Sequence, residues 1–303
     1  MNEKVPQTEP KASSQEPAAT GPHTFVLTLS CHDEIGIVAA VSDIIARNRC
    51  NILESAQYGD PETQQFFMRI AFEAPKGLGK AELVEAFEPA FTRYRMHWRL
   101  FDTSKPMRVM IMVSKFDHCL ADLLYRRRTG TLPMEIAAIV SNHEDAWKLA
   151  DDQAIPFHYL PVTKETKSQQ EARIGELIRS ERVDLVILAR YMQILSDDFS
   201  RSLFGRCINI HHSFLPSFKG ARPYHQAHKR GVKIIGATAH YVTPDLDEGP
   251  IIEQETERVD HAMSADKLVA VGRDIENRVL ARAVRYHLEH RILINETRTV
   301  VFK

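Results

Sequence analysis

Met107–Val113 reads MRVMIMV, an apolar run without the alternation of a half-exposed strand. Such a run fits a strand buried on both faces of a parallel sheet. Ile136–Val140 (IAAIV) and Val183–Ala189 (VDLVILA) are of the same kind, and helical stretches separate them around 117–128, 144–151 and 165–182. Strands alternating with helices build right-handed βαβ units. The segment from 107 to 303 is therefore predicted to be an open, mostly parallel, Rossmann-like α/β sheet. Cys207–Ile210 reads as another short central strand, and Ile234–Val242 with Pro250–Glu257 as a pair of edge strands. A long helix is predicted over 264–289 and a short hairpin over 291–303. In such a sheet ligands lie outside the carboxyl ends of the strands, so chemistry is expected just after 113, 140, 189 and 210.

Upstream, the pattern changes. Thr24–Ser30 (TFVLTLS) alternates apolar and polar residues as a half-buried strand does, and Ile37–Ala46 has helical spacing. Asn51–Tyr58 and Phe66–Phe72 read as strands around the turn Gly59, Asp60, Pro61; Lys80–Phe91 is a helix and Met96–Phe101 a closing strand. The order β-α-β-β-α-β over residues 24–101 is the split, ferredoxin-like unit. Asp102–Pro106 (DTSKP) is the expected linker, and residues 1–23, with Pro6, Pro10, Pro17 and Pro22 among polar residues, an expected disordered leader. No internal repeat is evident.

Composition narrows the function classes. The 303 residues carry 39 Lys+Arg and 40 Asp+Glu, a formal net charge of −1, so there is no basic excess for a nucleic-acid backbone. Hydrophobic residues are 44% and charged residues 26%, enough to bury cores in two domains. Cys31, Cys50, Cys119 and Cys207 form no C-x-x-C pair, and read as reduced thiols in a cytoplasmic protein. No apolar run approaches the roughly 20 residues that span a bilayer, and the N-terminus has no secretory core. Neither a membrane nor a nucleic-acid partner is expected.

The richest segment is INIHHSFLPSFKGARPYHQAHKRGVKIIGATAHYVTPDLDEGPIIEQ, residues 208–254. Asn209 and His211 leave a buried strand two positions apart and so face the same side. A carboxamide that steadies an oxyanion and an imidazole that moves a proton suit attack on a carbonyl. Asp247, in the turn PDLDEGP, would reach His211 if the loop folds back. By spacing alone each has a plainer reading: a loop-stabilising hydrogen bond for Asn-x-His, a turn former for Asp247. His225 and His228 have the spacing of a metal pair but no acidic partner. His211 and His212, as adjacent strand residues, should face opposite ways. No metal is expected.

The whole run resembles the formyltransferase family that handles 10-formyltetrahydrofolate. The likeness rests on Asn209, His211, Leu215, Pro216, Phe218, Gly220, Leu246, Asp247, Gly249 and Pro250. It implies that Asn209, His211 and Asp247 are catalytic. It implies too that Arg190, Tyr191, Met192, Gln193, Ile194 and Leu195 bind the pterin, with Thr243, Pro244, Asp245 and Leu246 as a second loop over it. Folate is then the substrate, and no cofactor is implied. Three features point to the family's deformylase branch, which transfers the formyl group to water. Ser114–His118 (SKFDH) lacks the glycines of a phosphate-binding loop, no RNA-binding extension is expected after the long helix, and an extra N-terminal unit is present. That unit resembles an ACT domain, with DEIGIV at 33–38 in its first turn. The resemblance implies a regulatory role, an amino-acid effector (methionine or glycine) at Asp33, Gly36 and Ile37, and a homo-oligomer. Gln193 and Arg190 depart from the transferases, which carry Arg and Gly there. Two other readings stay open: formyl transfer to an unidentified amine, and a non-catalytic formylfolate sensor.

Overall fold

The computed structural model describes residues 23–215 and 223–303. Residues 1–22 of the proposed leader, and Pro216, Phe218 and Gly220 of the motif, lie outside the described residues; His23, the last residue of that leader, instead opens the first strand, paired with Ala74.

The N-terminal elements are β1 (His23–His32), α1 (Ile37–Arg47), β2 (Asn51–Asp60), β3 (Gln65–Ala74), α2 (Lys80–Arg93) and β4 (His97–Asp102). The four strands form an antiparallel sheet in the order β2-β3-β1-β4, the ferredoxin-like arrangement. Phe66, Met68, Ile70 and Phe72 alternate along β3 and pack with Val41, Ile45, Leu83 and Phe87 of the two helices. The residues between them, Phe67, Arg69 and Ala71, are also buried. Both faces of β3 are therefore covered.

The second sheet holds seven strands among the described residues: β5 (Met107–Val113), β6 (Met134–Ser141), β7 (Phe157–Tyr159), β8 (Leu185–Leu188), β9 (Cys207–His211), β10 (Ile234–Tyr241) and β11 (Ile251–Arg258). Their order is β11-β10-β9-β8-β5-β6-β7, parallel from β9 to β7 and antiparallel at β10 and β11. This is the α/β class that the sequence predicts. Helices α3 (His118–Arg128), α4 (Trp147–Asp151), α5 (Lys167–Ser180), α6 (Asp197–Ser202), α7 (Pro223–Arg230) and α8 (Ala265–Leu288) connect or flank the strands, and β12 (Ile292–Asn295) pairs with β13 (Arg298–Val301) as the expected hairpin. The sequence reading omits β7 and α6. They are three and six residues long, too short to show a period.

From β5 the chain runs outward one way to β6 and the other way to β8, which opens a crevice at the carboxyl ends of β5 and β8. Ser114 closes its floor. Its hydroxyl donates to Asn142 Oδ1 at 2.7 Å and accepts from the Met192 N–H at 2.9 Å, while its own N–H reaches the Arg190 carbonyl at 3.3 Å. One side chain thus ties together the loops after β5, β6 and β8.

The two sheets meet where α8 ends. The last carbonyls of a helix have no intrahelical partner. Here Arg69 of β3, 4% exposed, donates Nε and Nη2 to the Glu289 carbonyl at 3.1 and 2.9 Å, and Nη1 to Glu54 at 2.9 Å. Arg291 also pairs with Glu54, and Asn295 donates to Asp60 at 2.6 Å. His290 stacks on Phe101 with centroids 3.6 Å apart. Burial, with Arg69, Arg99 and His287 nearby, pushes the His290 pKa down to about 3; burial and Arg99 push that of His287 down to about 4.

Two predictions follow from this seam. Arg69→Ala leaves the Glu289 carbonyl without its buried donors, and is expected to cost about 2–4 kcal/mol in denaturant unfolding. The unfolded chain protonates its histidines below about pH 6.5 while the folded seam keeps His287 and His290 neutral, so stability should fall from there towards about pH 4. Melting temperatures taken across that range check the sign.

Candidate active site

The register of β9 on β10 sets the geometry. Asn209 lies opposite His240, and His211 opposite Thr238. Residues two apart on a strand share a face, so all four side chains point the same way. The Asn209 amide nitrogen lies 3.2 Å from His240 Nε2. His240 Nδ1 lies 2.9 Å from the Tyr241 carbonyl, which can only accept, so Nδ1 carries the proton and Nε2 is the free acceptor for Asn209. His240 thereby fixes which way the carboxamide faces.

Asp247 arrives from the loop after β10. The loop returns on itself: the Tyr241 N–H donates to the Pro250 carbonyl at 3.0 Å. Gly249 permits this close approach, since a Cβ there would lie 1.7 Å from the Tyr241 carbonyl oxygen. Asp247 itself holds φ at 60°, a conformation Asp tolerates better than most residues. Its carboxylate ends 3.2 Å from His211 Nδ1 and 3.7 Å from His240 Nε2. Burial alone would raise its pKa. The hydrogen bond and charge of His211 outweigh burial and hold the carboxyl well below the usual range. Asp247 is thus a carboxylate through the mildly acidic range, and His211 presents it an N–H from Nδ1. On its other side His211 Nε2 meets the Ser213 hydroxyl at 2.8 Å. Thr238 holds that turn, donating to the Ser213 carbonyl at 3.0 Å and accepting from the Leu215 N–H at 3.1 Å.

The loop after β8 is pinned rather than loose. The Tyr191 hydroxyl donates to Gln170 at 3.3 Å, and the Ser196 N–H to Glu171 at 2.7 Å. Tyr191 and Leu195 are turned into the core. Met192 and Ile194, 52% and 61% exposed, are left on the outside with Gln193 between them. Across from β10, Thr243 donates to the Asp245 carbonyl at 3.0 Å, Pro244 is partly buried, and Leu246 is exposed beside Asp247. Exposed apolar side chains on fixed backbone make a wall for a flat, partly apolar ligand. Arg190 does not join that wall. It sits at φ 64° with its side chain turned inward to Glu276.

His211 and His212 correct an expectation. Their rings do not face opposite ways; the centroids are 4.9 Å apart. β9 ends at His211, so His212 is already past the pleat. His212 is held near pKa 4 by burial and by the positive charge of Arg190. His225 and His228 are exposed on α7. Among the described residues His118, Cys119 and Glu276 bring ligand-type atoms within 4.8 Å of one another. That set is already closed: Glu276 accepts from His118, the Arg190 cation lies beside it, and burial raises the Cys119 thiol. The sequence reading missed His240 and Glu276. Only the strand register gives the first its partner, and only the packing of α8 brings the second to the site.

The arrangement offers an oriented carboxamide, an imidazole and an ionised carboxylate around one space, with apolar loops beside it. Such a site suits attack on a carbonyl carried by a flat ligand. Among families, the formyl transferase model matches residues 107–284. The chain is 50% identical over 91% of its length to the formyltetrahydrofolate deformylase of Bacillus subtilis, covering 93% of that protein. The solved formyltetrahydrofolate deformylase of Burkholderia mallei superposes with a TM-score of 0.89, at 53% identity, over 93% of this chain and 100% of that one. A glycinamide ribonucleotide transformylase from Symbiobacterium toebii gives a TM-score of 0.62 at 28% identity, over 68% of this chain and 98% of that one.

His240→Phe should release the Asn209 carboxamide and lower turnover about 10–100-fold with little change in KM, as loss of one oriented oxyanion donor does. Steady-state kinetics of the variant separate the two parameters.

Proposed function

Because the chain belongs to the formyl transferase family, and within it to the formyltetrahydrofolate deformylases, we infer that it hydrolyses 10-formyltetrahydrofolate to tetrahydrofolate and formate. The observation that carries the mechanism is the contact of His211 with Asp247 beside Asn209.

In this reading the pterin lies between the loop 190–195 and the loop 243–246, against Met192, Ile194 and Leu246. The formyl oxygen takes the free N–H of Asn209, whose other N–H is committed to His240. A water enters beside His211 and Asp247. The carboxylate orients it and, with the imidazole, takes its proton as the oxygen attacks the formyl carbon. The oxyanion that forms is held by Asn209 and by protonated His211, with Asp247 stabilising the imidazolium. That proton then passes to the folate nitrogen, the C–N bond breaks, and formate leaves. Each proton is moved by a side chain already in place, so the reading calls on no cofactor.

The N-terminal unit fits an ACT-type sensor of a free amino acid, methionine or glycine. In its first turn Asp33 and Gly36 are exposed and Ile37 is buried. The Asp33 carboxylate stands directly over Gly59, where a Cβ would come within 2.7 Å of it. Asp33 and Gly36 would meet the effector, and Ile37 would anchor the turn from the core. Strand β2 is a ten-residue edge with Ile52, Leu53 and Tyr58 exposed, a surface suited to pairing copies of the chain.

Protein incubated with 10-formyltetrahydrofolate and no amine should yield tetrahydrofolate and formate in equal amounts. Asn209→Ala, His211→Ala and Asp247→Ala should each lower turnover at least about 100-fold while folate affinity is kept. Near-normal turnover in any of them would refute its assigned role. Added methionine or glycine should change the rate, and Asp33→Ala should abolish that response; identical kinetics with and without either amino acid would exclude the sensor.

A further inference from the structure

Four side chains from four separate elements meet beside the catalytic imidazole without sharing a hydrogen bond with Asn209, His211 or Asp247. Glu276 of α8, 1% exposed, is their centre. Its Oε2 lies 2.8 Å from His118 Nε2, at the start of α3, and 3.4 Å from Arg190 Nε, after β8. Its Oε1 accepts from the Tyr224 hydroxyl of α7 at 2.8 Å. A buried ionic cluster costs desolvation free energy, and this one gives the proton path nothing in return. The backbone is adapted to it as well. Arg190 holds a positive φ, unusual for a long side chain, and Tyr224 fits only because residue 272 is glycine: a Cβ there would lie 2.1 Å from the ring. Phe116, 47% exposed, closes the outer side, with the guanidinium carbons of Arg190 and Arg273 5.8 and 5.5 Å from its ring centre.

His212 joins the cluster to His211: it feels the charges of Arg190 and Glu276, and its ring lies 4.9 Å from that of His211. We propose that Glu276, His118, Arg190, Tyr224 and Phe116 form a wall that selects the formyl acceptor, leaving space for water and none for the carbon attached to an amine nitrogen. The inference rests on the hydrolase reading above and adds what makes water the acceptor. Asn209, His211 and Asp247 do not distinguish one nucleophile from another; either attacks the formyl carbon, the bond to the folate nitrogen breaks, and that nitrogen takes the proton. Size and charge make the distinction. A water needs about 30 Å³. A primary amine needs room behind its nitrogen, and in this proposal the nearly buried side chains of Arg190 and Tyr224 occupy it. The Arg190 cation repels an approaching ammonium, and the Glu276 oxygens are engaged within the cluster.

The test is the partition of product between formate and formylated amine. 10-Formyltetrahydrofolate is supplied with excess glycinamide, and both products are counted. Their ratio is independent of how much total rate a variant retains. Wild type should give formate alone. The double variant Arg190→Gly, Phe116→Ala removes the side chains that can be deleted while relieving the positive φ, and should raise the formylated fraction by about tenfold or more. Tyr224→Phe keeps the ring in place and should partition as wild type does. Should the double variant fail to fold, Phe116→Ala alone, at an exposed position, is expected to shift the ratio in the same direction. A folded, hydrolytically active opened variant with the wild-type ratio would overturn the proposal, as would formylation of glycinamide by wild type. Absence of tetrahydrofolate from wild type with or without amine would overturn the hydrolase reading itself.

Discussion

The pairing of β9 with β10 is the constraint on which the site depends. One antiparallel register puts Asn209 opposite His240 and His211 opposite Thr238. A slip of one residue would turn each of these side chains to the other face. The same pairing makes β10 the point from which the Asp247 loop departs and to which it returns, through the Tyr241 N–H and the Pro250 carbonyl. Carboxamide, imidazole and carboxylate are therefore not three separate placements. They follow from one strand pair and one turn, on a sheet whose carboxyl ends are tied together by Ser114.

Charge is buried in this protein where opposite charges and hydrogen-bonding groups gather around it. Asp247 sits between two imidazoles, Glu276 among His118, Tyr224 and Arg190, and Arg69 between Glu54 and the end of α8. In each case several elements contribute, so the free-energy cost of desolvation is offset only when the whole neighbourhood is assembled. Such clusters favour one arrangement of the loops over near alternatives. That rigidity is what an attack geometry with tolerances of a few tenths of an ångström requires.

The central strands were legible because burial on both faces leaves continuous apolar runs, as in Met107–Val113. The ferredoxin-like unit was legible from the alternation of Thr24–Ser30, the helical spacing of Ile37–Ala46 and the turn at Gly59, Asp60 and Pro61. Asn209 and His211 could be placed on one face from spacing alone, but the approach of Asp247 could not, since it depends on a loop closed by Gly249. His240 was hidden for a related reason: it reads as one polar residue in an apolar strand until the register supplies Asn209. Arg69 is one charge in the strand FFMRIAF, and nothing in that run shows that it is covered by the end of a helix 220 positions along the chain. Glu276 was one of several charges on an amphipathic helix. Interactions between distant segments leave no period in the sequence.

The Arg69 contact also bears on the order of assembly during synthesis. The ferredoxin-like unit emerges from the ribosome first and contains its own core, so it can fold while the rest of the chain is still being made. Its Arg69 then faces solvent until residue 289, near the carboxyl end, has been translated. Helix α8 thus docks on a surface that is already formed, and the carbonyl at its end finds a donor waiting. The nascent chain carries a receptor for a helix it has yet to make.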